Sequence, residues 1–106
     1  MFSLVSAAGL THAMARTDAE ILNDVVSVSY EQKPSFQDMH EVWHGELSDG
    51  GDLTIGYIPM LDVIEYFSTS EGIGFNIFLS EESQRKALNY LKQKYNEQEQ
   101  AHNLTQ

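Results

Sequence analysis

Residues 43–57 alternate between apolar and other side chains on both sides of a central Asp49-Gly50-Gly51 triplet. Alternation with a period of two is typical of a strand that buries one face. The triplet favours a three-residue hairpin loop, because glycine readily adopts the left-handed backbone conformation that such loops need. The pattern therefore predicts an antiparallel hairpin over about 41–58. The pairs expected around this loop are Leu47 with Leu53, Gly45 with Ile55 and Trp43 with Tyr57.

A helix is predicted on the N-terminal side of the hairpin. Thr17 and Glu20 have the spacing of a capping box, in which each side chain accepts a hydrogen bond from the other residue's backbone N–H. The helix begins near residue 18, and its end is open between two patterns. Apolar residues recur at helical spacing as far as residue 30, but Val26, Val28 and Tyr30 also alternate as in a strand. In the second case the helix ends at residue 23 or 24.

A second helix is predicted over about 81–98. Ser80 is placed to cap it, and Glu81 and Glu82 suit the positive end of the helix dipole. Its side chains at helical spacing form one apolar stripe, which a sheet or another helix would cover. The stripe comprises Ala87, Leu88, Leu91 and Tyr95.

The remaining segments complete the predicted fold. Residues 73–79 alternate and predict a further strand, whereas residues 60–68 fit either a short helix or a strand. The sequence thus predicts one α+β domain over 17–99, with an N-terminal helix, a central antiparallel sheet of three or four strands, and a C-terminal helix packed on one face of the sheet. We expect residues 1–16 to be a flexible leader and residues 100–106 to be a disordered tail. With no Cys and no apolar run long enough to span a membrane, we expect a cytoplasmic location.

The charges are unevenly distributed along the chain. It has 16 acidic and 6 basic residues, and its formal net charge is −10. Residues 34–84 contain no Lys or Arg but include ten of the Asp and Glu residues. This disfavours direct nucleic-acid binding, because the phosphates would be repelled. It favours either recognition of a positively charged partner or an acidic subunit or scaffold without a specific target.

The segment HEVWH at residues 40–44 matches H-E-x-x-H and resembles the motif of the zincin metalloproteases over five residues. That resemblance implies, as an alternative, a small zinc hydrolase in which His40 and His44 bind the metal, Glu65 is the third ligand, and Glu41 acts as general base. The motif needs a helix, since a strand would separate the two imidazoles by about 13 Å. Zincins also have an apolar residue where this chain has Glu46. We therefore expect a strand here, with no metal or cofactor.

The acidic profile resembles that of bacterial immunity proteins and DNA-mimic inhibitors, by charge alone. We predict a non-enzymatic acidic binding protein that neutralises or regulates a basic partner protein, such as a nuclease toxin or a nucleic-acid-binding protein. Aromatic side chains supply much of the energy of such interfaces, while charges set rate and specificity. Each aromatic candidate also fits a core position. The predicted partner-binding residues are Glu41, Trp43, Glu46, Asp49, Asp52, Tyr57, Asp62, Glu65 and Tyr66.

Overall fold

The computed structural model describes residues 17–34, 39–70, 78 and 80–105, with side chains as far as residue 103. The described elements are α1 (Asp18–Asn23), β1 (Val25–Pro34), β2 (Met39–Leu47), β3 (Asp52–Ile58), β4 (Val63–Thr69) and α2 (Glu81–Thr105). The four strands form one antiparallel sheet in the order β1-β2-β3-β4. The predicted α+β fold is confirmed. One helix precedes the four strands in the sequence, and one follows them. The leader at 1–16 and most of the strand predicted at 73–79 lie outside the described residues.

Helix α1 begins with the predicted capping box. Glu20 N donates to Thr17 Oγ1 (3.2 Å), and Thr17 N donates to Glu20 Oε1 (3.1 Å). The helix has only six residues, so the longer alternative ending near residue 30 is wrong. β-branched residues and serines follow it, and these favour an extended chain over a helix.

Strand β1 is irregular at its start. The register changes from Val25 opposite Leu47 to Ser27 opposite Glu46, which leaves Val26 as an extra residue in a bulge. Val26 is therefore exposed (58%), although the alternating pattern predicted that it would share a face with Val28. Beyond the bulge, Val28 lies in the core.

The β2–β3 hairpin is confirmed, but its predicted register is wrong by two residues. Gly45 is opposite Leu53, Trp43 is opposite Ile55, and Glu41 is opposite Tyr57. Leu47 N donates to the Gly51 carbonyl (2.8 Å), which closes the loop over residues 48–50 instead of 49–51. Gly50 takes the left-handed conformation in this loop, with φ of 95°. A shift by an even number of residues keeps every side chain on its predicted face.

Residues 63–69 form strand β4. Of the two structures predicted for residues 60–68, a short helix or a strand, the strand is therefore correct. It pairs with β3 through Phe67 opposite Ile55 and Leu53 opposite Thr69, with an irregularity near Gly56. β4 therefore brings the sheet to four strands among the described residues.

Helix α2 covers one face of the sheet, which we call the inner face; the opposite one is the outer face. Ser80 Oγ accepts a hydrogen bond from Ser83 N (3.0 Å), as expected for a cap. Leu91 is fully buried and lies so close to β2 that a Cβ at Gly45 would be 2.9 Å from its Cδ2 atom. The core formed by the helices, the inner face and Phe78 consists of Ile21, Leu22, Val25, Val28, Trp43, Leu47, Leu53, Ile55, Phe78, Ala87, Leu88 and Leu91.

Helix α2 is longer than predicted. It continues to Thr105, past the expected end near residue 98 and through residues 100–105, for which the sequence predicted a disordered tail. The segment has no apolar stripe, but residues 97–101, which lead into it, are Glu, Gln, Glu, Gln and Ala, all with high helix propensity.

β1 lies at one end of the strand order, and a side chain of α2 forms hydrogen bonds with the backbone of its free edge. The Gln98 carboxamide accepts a hydrogen bond from Val28 N (2.7 Å) and donates one to the Val28 carbonyl (2.9 Å). The carboxamide thus makes the two contacts that a neighbouring strand would make at this position. Pro34 ends the same strand and has no N–H to offer.

Candidate functional site

The HEVWH segment lies in strand β2, as expected, and the helix on which the zinc alternative depends is not formed. His40 Nδ1 lies 2.7 Å from Glu65 Oε2, whereas His44 Nδ1 lies 3.0 Å from Thr54 Oγ1. The two imidazoles are four residues apart on the outer face, a separation of about 13 Å. The structure therefore brings His40 to Glu65 but does not assemble His40, His44 and Glu65. Among the described residues, no three His, Asp or Glu side chains are grouped to hold a metal ion.

Carboxylates gather where β1 begins and β2 turns into β3, a region that we call the hairpin end (Asp24, Glu46, Asp49 and Asp52). Glu46 is directly opposite Asp52 in the register, so both side chains leave the outer face. Cross-strand neighbours of this kind have Cβ atoms about 4.5–5.5 Å apart, and like charges there are unfavourable. No Lys or Arg in the described part of the chain forms an ion pair with either residue.

Hydrogen bonds hold the loop of the hairpin end in place. Asp49 Oδ1 accepts from Gly51 N (2.9 Å) across the loop. Ser48 N donates to the Asp24 carbonyl (3.1 Å), and the Ser48 hydroxyl donates to the Asp24 carboxylate. Asp24 was missed by sequence reasoning, because it is remote from the hairpin in the chain. Only the pairing of β1 with β2 brings it there.

The basic residues of α2 serve other parts of the molecule. Arg85 Nη1 lies 2.9 Å from Asp62 Oδ1, and its Nε lies 3.3 Å from Glu81 Oε1. Lys86 pairs with Glu82 one turn away (3.4 Å). These bases are therefore engaged on the helix itself or in the turn between β3 and β4.

The negative charge of Asp62 is therefore balanced by that of Arg85. Tyr57 Oη donates to its Oδ1 atom (2.7 Å), and this hydrogen bond, followed by those from Arg85, lowers the pKa of Asp62. The same hydrogen bond is the main cause that raises the pKa of Tyr57. Both residues were predicted to face a partner. In the structure they form a hydrogen bond with each other, and Asp62 also accepts one from Arg85.

Four aromatic rings lie at the other end of the inner face, a group that we call the aromatic cluster (Tyr30, Trp43, Tyr57 and Tyr95). Trp43 stacks on Tyr30, with ring centroids 4.3 Å apart, and meets Tyr95 edge-on at 5.6 Å. Trp43 is 6% exposed and belongs to the core. Trp43, a predicted partner-binding residue, therefore lies in the core with little free surface.

Glu41 also belongs to the inner face. Its carboxylate accepts hydrogen bonds from Trp43 Nε1 (3.1 Å) and from Tyr30 Oη (3.4 Å). Burial, and next the charge of Glu41, raise the pKa of Tyr30. Glu41 therefore holds the rings in position, whereas Glu46 on the same strand points away from them.

Tyr66 is the predicted aromatic anchor that remains accessible, at 43% exposure on the outer face. Its ring lies flat over Gly56, where an added Cβ would be 2.2 Å from Tyr66 Cε2. Aromatic side chains often cover a glycine in this way on a neighbouring strand. Of the nine predicted residues, Glu46, Asp49, Asp52 and Tyr66 remain the best placed to meet a partner.

No family model, curated protein or solved structure matches this chain. None of the helices in the described part of the chain is long and apolar enough to cross a membrane. The function is therefore inferred from the placement of the described residues.

Proposed function

We propose that this protein is a non-enzymatic acidic binding protein that neutralises or regulates a basic partner protein, such as a nuclease toxin or a nucleic-acid-binding protein. The observation that carries the proposal is the pair of Glu46 and Asp52, directly opposite each other on the outer face and without a base among the described residues. Asp24 and Asp49 add their charges at the same end.

The arrangement gives a cationic partner a specific energetic advantage. Two carboxylates directly opposite each other on paired strands repel, and the free domain retains this cost. A Lys or Arg side chain placed between them would relieve the repulsion on binding. A negative region also raises association rates with basic proteins, by about 10- to 1,000-fold at low ionic strength.

Tyr66 supplies the aromatic contact that such an interface requires. It is exposed on the outer face, where Glu46 is also exposed and Asp52 is half-buried. Tyrosine is enriched among residues that dominate binding energy, whereas charges at the rim mostly set rate and specificity. We expect Tyr66 to affect the dissociation rate and the hairpin-end acids to affect the association rate.

The test compares two double variants with the same net charge. Glu46→Gln with Asp52→Asn removes two charges from the hairpin end, and Glu97→Gln with Glu99→Gln removes two from exposed positions on α2. Binding to a panel of purified basic nucleases and nucleic-acid-binding proteins is measured by calorimetry at several salt concentrations. A neutral protein serves as the negative control.

We expect the hairpin-end variant to lose affinity for a basic partner, while the helix variant retains it. Equal losses in both variants would show that only the overall charge matters. Affinity that does not change with salt concentration would also contradict the proposal, as would binding to the neutral control alone.

A further inference from the structure

Lys92 extends from α2 over two rings of the aromatic cluster. Its Nζ atom lies 4.5 Å from the centroid of Tyr57 and 5.9 Å from that of Trp43. Both distances are within the range in which a ring face attracts a cation. Unlike Arg85 and Lys86, Lys92 forms no ion pair with a carboxylate of the described residues. The rings are therefore its main partners in the described part of the chain.

The two rings are held in place by contacts that do not involve the lysine. Trp43 is fixed by its stack on Tyr30 and by the hydrogen bond from Nε1 to Glu41. Tyr57 is fixed by the hydrogen bond to Asp62. Removing the lysine side chain would leave these contacts intact, so the arrangement of the rings is preorganised.

The carboxylates also strengthen the attraction of the rings for a cation. Glu41 accepts a hydrogen bond from Trp43, and Asp62 accepts one from Tyr57. Donation to an anion increases the electron density of an aromatic ring, and the charge of Lys92 is among the causes that lower the pKa of Asp62. Preorganised rings with nearby negative charge are the arrangement by which proteins recognise alkylammonium groups.

We propose that Trp43 and Tyr57 form a binding site for an alkylammonium cation, and that Lys92 occupies this site in the free protein as an internal ligand. The lysine side chain is long and flexible, so an incoming ammonium group can displace it without a change in the backbone. The ligand is either a lysine side chain of another protein or a small quaternary ammonium compound. This inference goes beyond the proposed function, because it concerns the inner face and holds whether or not the hairpin end binds a basic protein.

The test uses Lys92→Ala in the full chain, with Lys94→Ala as the matched control on the same helix. Trp43 is the single tryptophan of the chain, so its fluorescence reports directly on the site. Each protein is titrated with tetramethylammonium chloride, with sodium chloride at equal concentration as the blank. A short neutral peptide containing one lysine, and the same peptide with norleucine in its place, form the second arm.

We expect Lys92→Ala to bind tetramethylammonium with a Kd about tenfold lower than the wild type, because the internal competitor has been removed. Lys94→Ala should behave as the wild type does. In the Lys92→Ala background, Tyr57→Leu should abolish the response, and Tyr57→Phe, which keeps the ring but loses the hydrogen bond to Asp62, should retain a weaker response. Circular dichroism verifies that each variant is folded.

The two arms identify the source of the ligand. A response to tetramethylammonium without one to the lysine peptide supports a small quaternary ammonium compound, and a response to both supports a lysine side chain. The proposal is wrong if folded Lys92→Ala responds to tetramethylammonium no more than to sodium chloride. An equal gain in Lys94→Ala, or equal responses to the lysine and norleucine peptides without a response to tetramethylammonium, would also overturn it.

Discussion

The carboxylates at the two ends of the sheet differ in their partners. The hairpin end contrasts with the end that carries the aromatic cluster, which we call the aromatic end. At the hairpin end, Glu46 faces Asp52 and neither has a basic partner among the described residues. At the other end, Asp62 accepts hydrogen bonds from Tyr57 and Arg85. Glu46, Asp52 and Asp62 all belong to the interval that lacks Lys and Arg in the sequence.

The difference arises because the two bases of α2 that contact the sheet side of the molecule, Arg85 and Lys92, both do so at the aromatic end. The helix places Arg85 beside the β3–β4 turn and a lysine over the aromatic rings. Asp62 consequently stabilises the fold, whereas Glu46 and Asp52 at the hairpin end repel each other. A charge count along the sequence does not distinguish these two groups, but the fold does.

The largest expected effect is that of Trp43→Ala at the aromatic end. Removal of this buried ring should lower the free energy of unfolding by about 3–5 kcal/mol, through lost burial and the cavity left behind. Urea unfolding followed by circular dichroism measures the change. Tyr66→Ala on the outer face is the control, with an expected loss well below half of that value. Similar losses for both variants would contradict the assignment of Trp43 to the core and Tyr66 to the surface.

A smaller loss is expected for Glu41→Ala. The substitution leaves the half-buried donors Trp43 Nε1 and Tyr30 Oη without their acceptor, which should cost about 1–3 kcal/mol of unfolding free energy. Glu46→Ala on the same strand is the matched control, and it should cost nothing or stabilise the domain. If the two alanine variants have the same stability, the contrast between the inner and outer faces of β2 is wrong.

At the hairpin end, substitution of an acidic residue should raise the free energy of unfolding instead of lowering it. Either Glu46→Gln or Asp52→Asn removes the like-charge pair and should stabilise the domain by about 0.2–1 kcal/mol at low salt. Added salt should stabilise the wild type more than either variant, since it screens only the repulsion that is still present. Urea unfolding at low and high salt measures both quantities, and a net loss of stability in both variants would argue against repulsion.

The smallest effect on stability, with a clear spectroscopic signal, is expected for Tyr57→Phe. Without the Tyr57 hydroxyl, the pKa of Asp62 should rise toward its ordinary value of 3.8. A lowered pKa in the folded state stabilises the domain above pH 3.8, and this stabilisation is lost as the pH falls through the folded-state pKa. The variant should therefore lose less stability on acidification than the wild type does.

An NMR titration of the Asp62 carboxyl group measures this shift directly. Tyr66→Phe, which removes a hydroxyl from the outer face, should leave the titration unchanged. An unaltered Asp62 titration in Tyr57→Phe would show that Arg85 alone sets its pKa.

The sequence predicted those features of the fold that depend on neighbours in the chain. The capping box at Thr17 and the hairpin around residues 48–51 are local, and both are confirmed. The register was wrong by two residues because the loop closes at Leu47 and Gly51, a choice that depends on backbone hydrogen bonds rather than on the apolar pattern. Even so, the faces of the strands were predicted correctly.

The candidate sites depend on distant contacts, and these were not readable from the sequence. Trp43 stacks on Tyr30 instead of Tyr57, because β1 pairs with β2. The contacts of Arg85 with Asp62 and of Lys92 with Tyr57 depend on where α2 crosses the sheet. A single sequence gives the apolar stripe of such a helix, but not its path across the strands.

The contact between Gln98 and Val28 has a consequence for synthesis on the ribosome. The two residues are seventy positions apart, so Gln98 is made long after the strand whose edge it covers. At about 5–20 residues per second, translation takes roughly 4 to 14 seconds to cover that distance. Throughout this interval the edge of β1 at Val28 lacks its hydrogen bonds from Gln98. Strands of neighbouring nascent chains on the same messenger RNA are then available to pair with it. Until the last helix packs against this strand, the backbone N–H and carbonyl of Val28 lack the partner that Gln98 gives them.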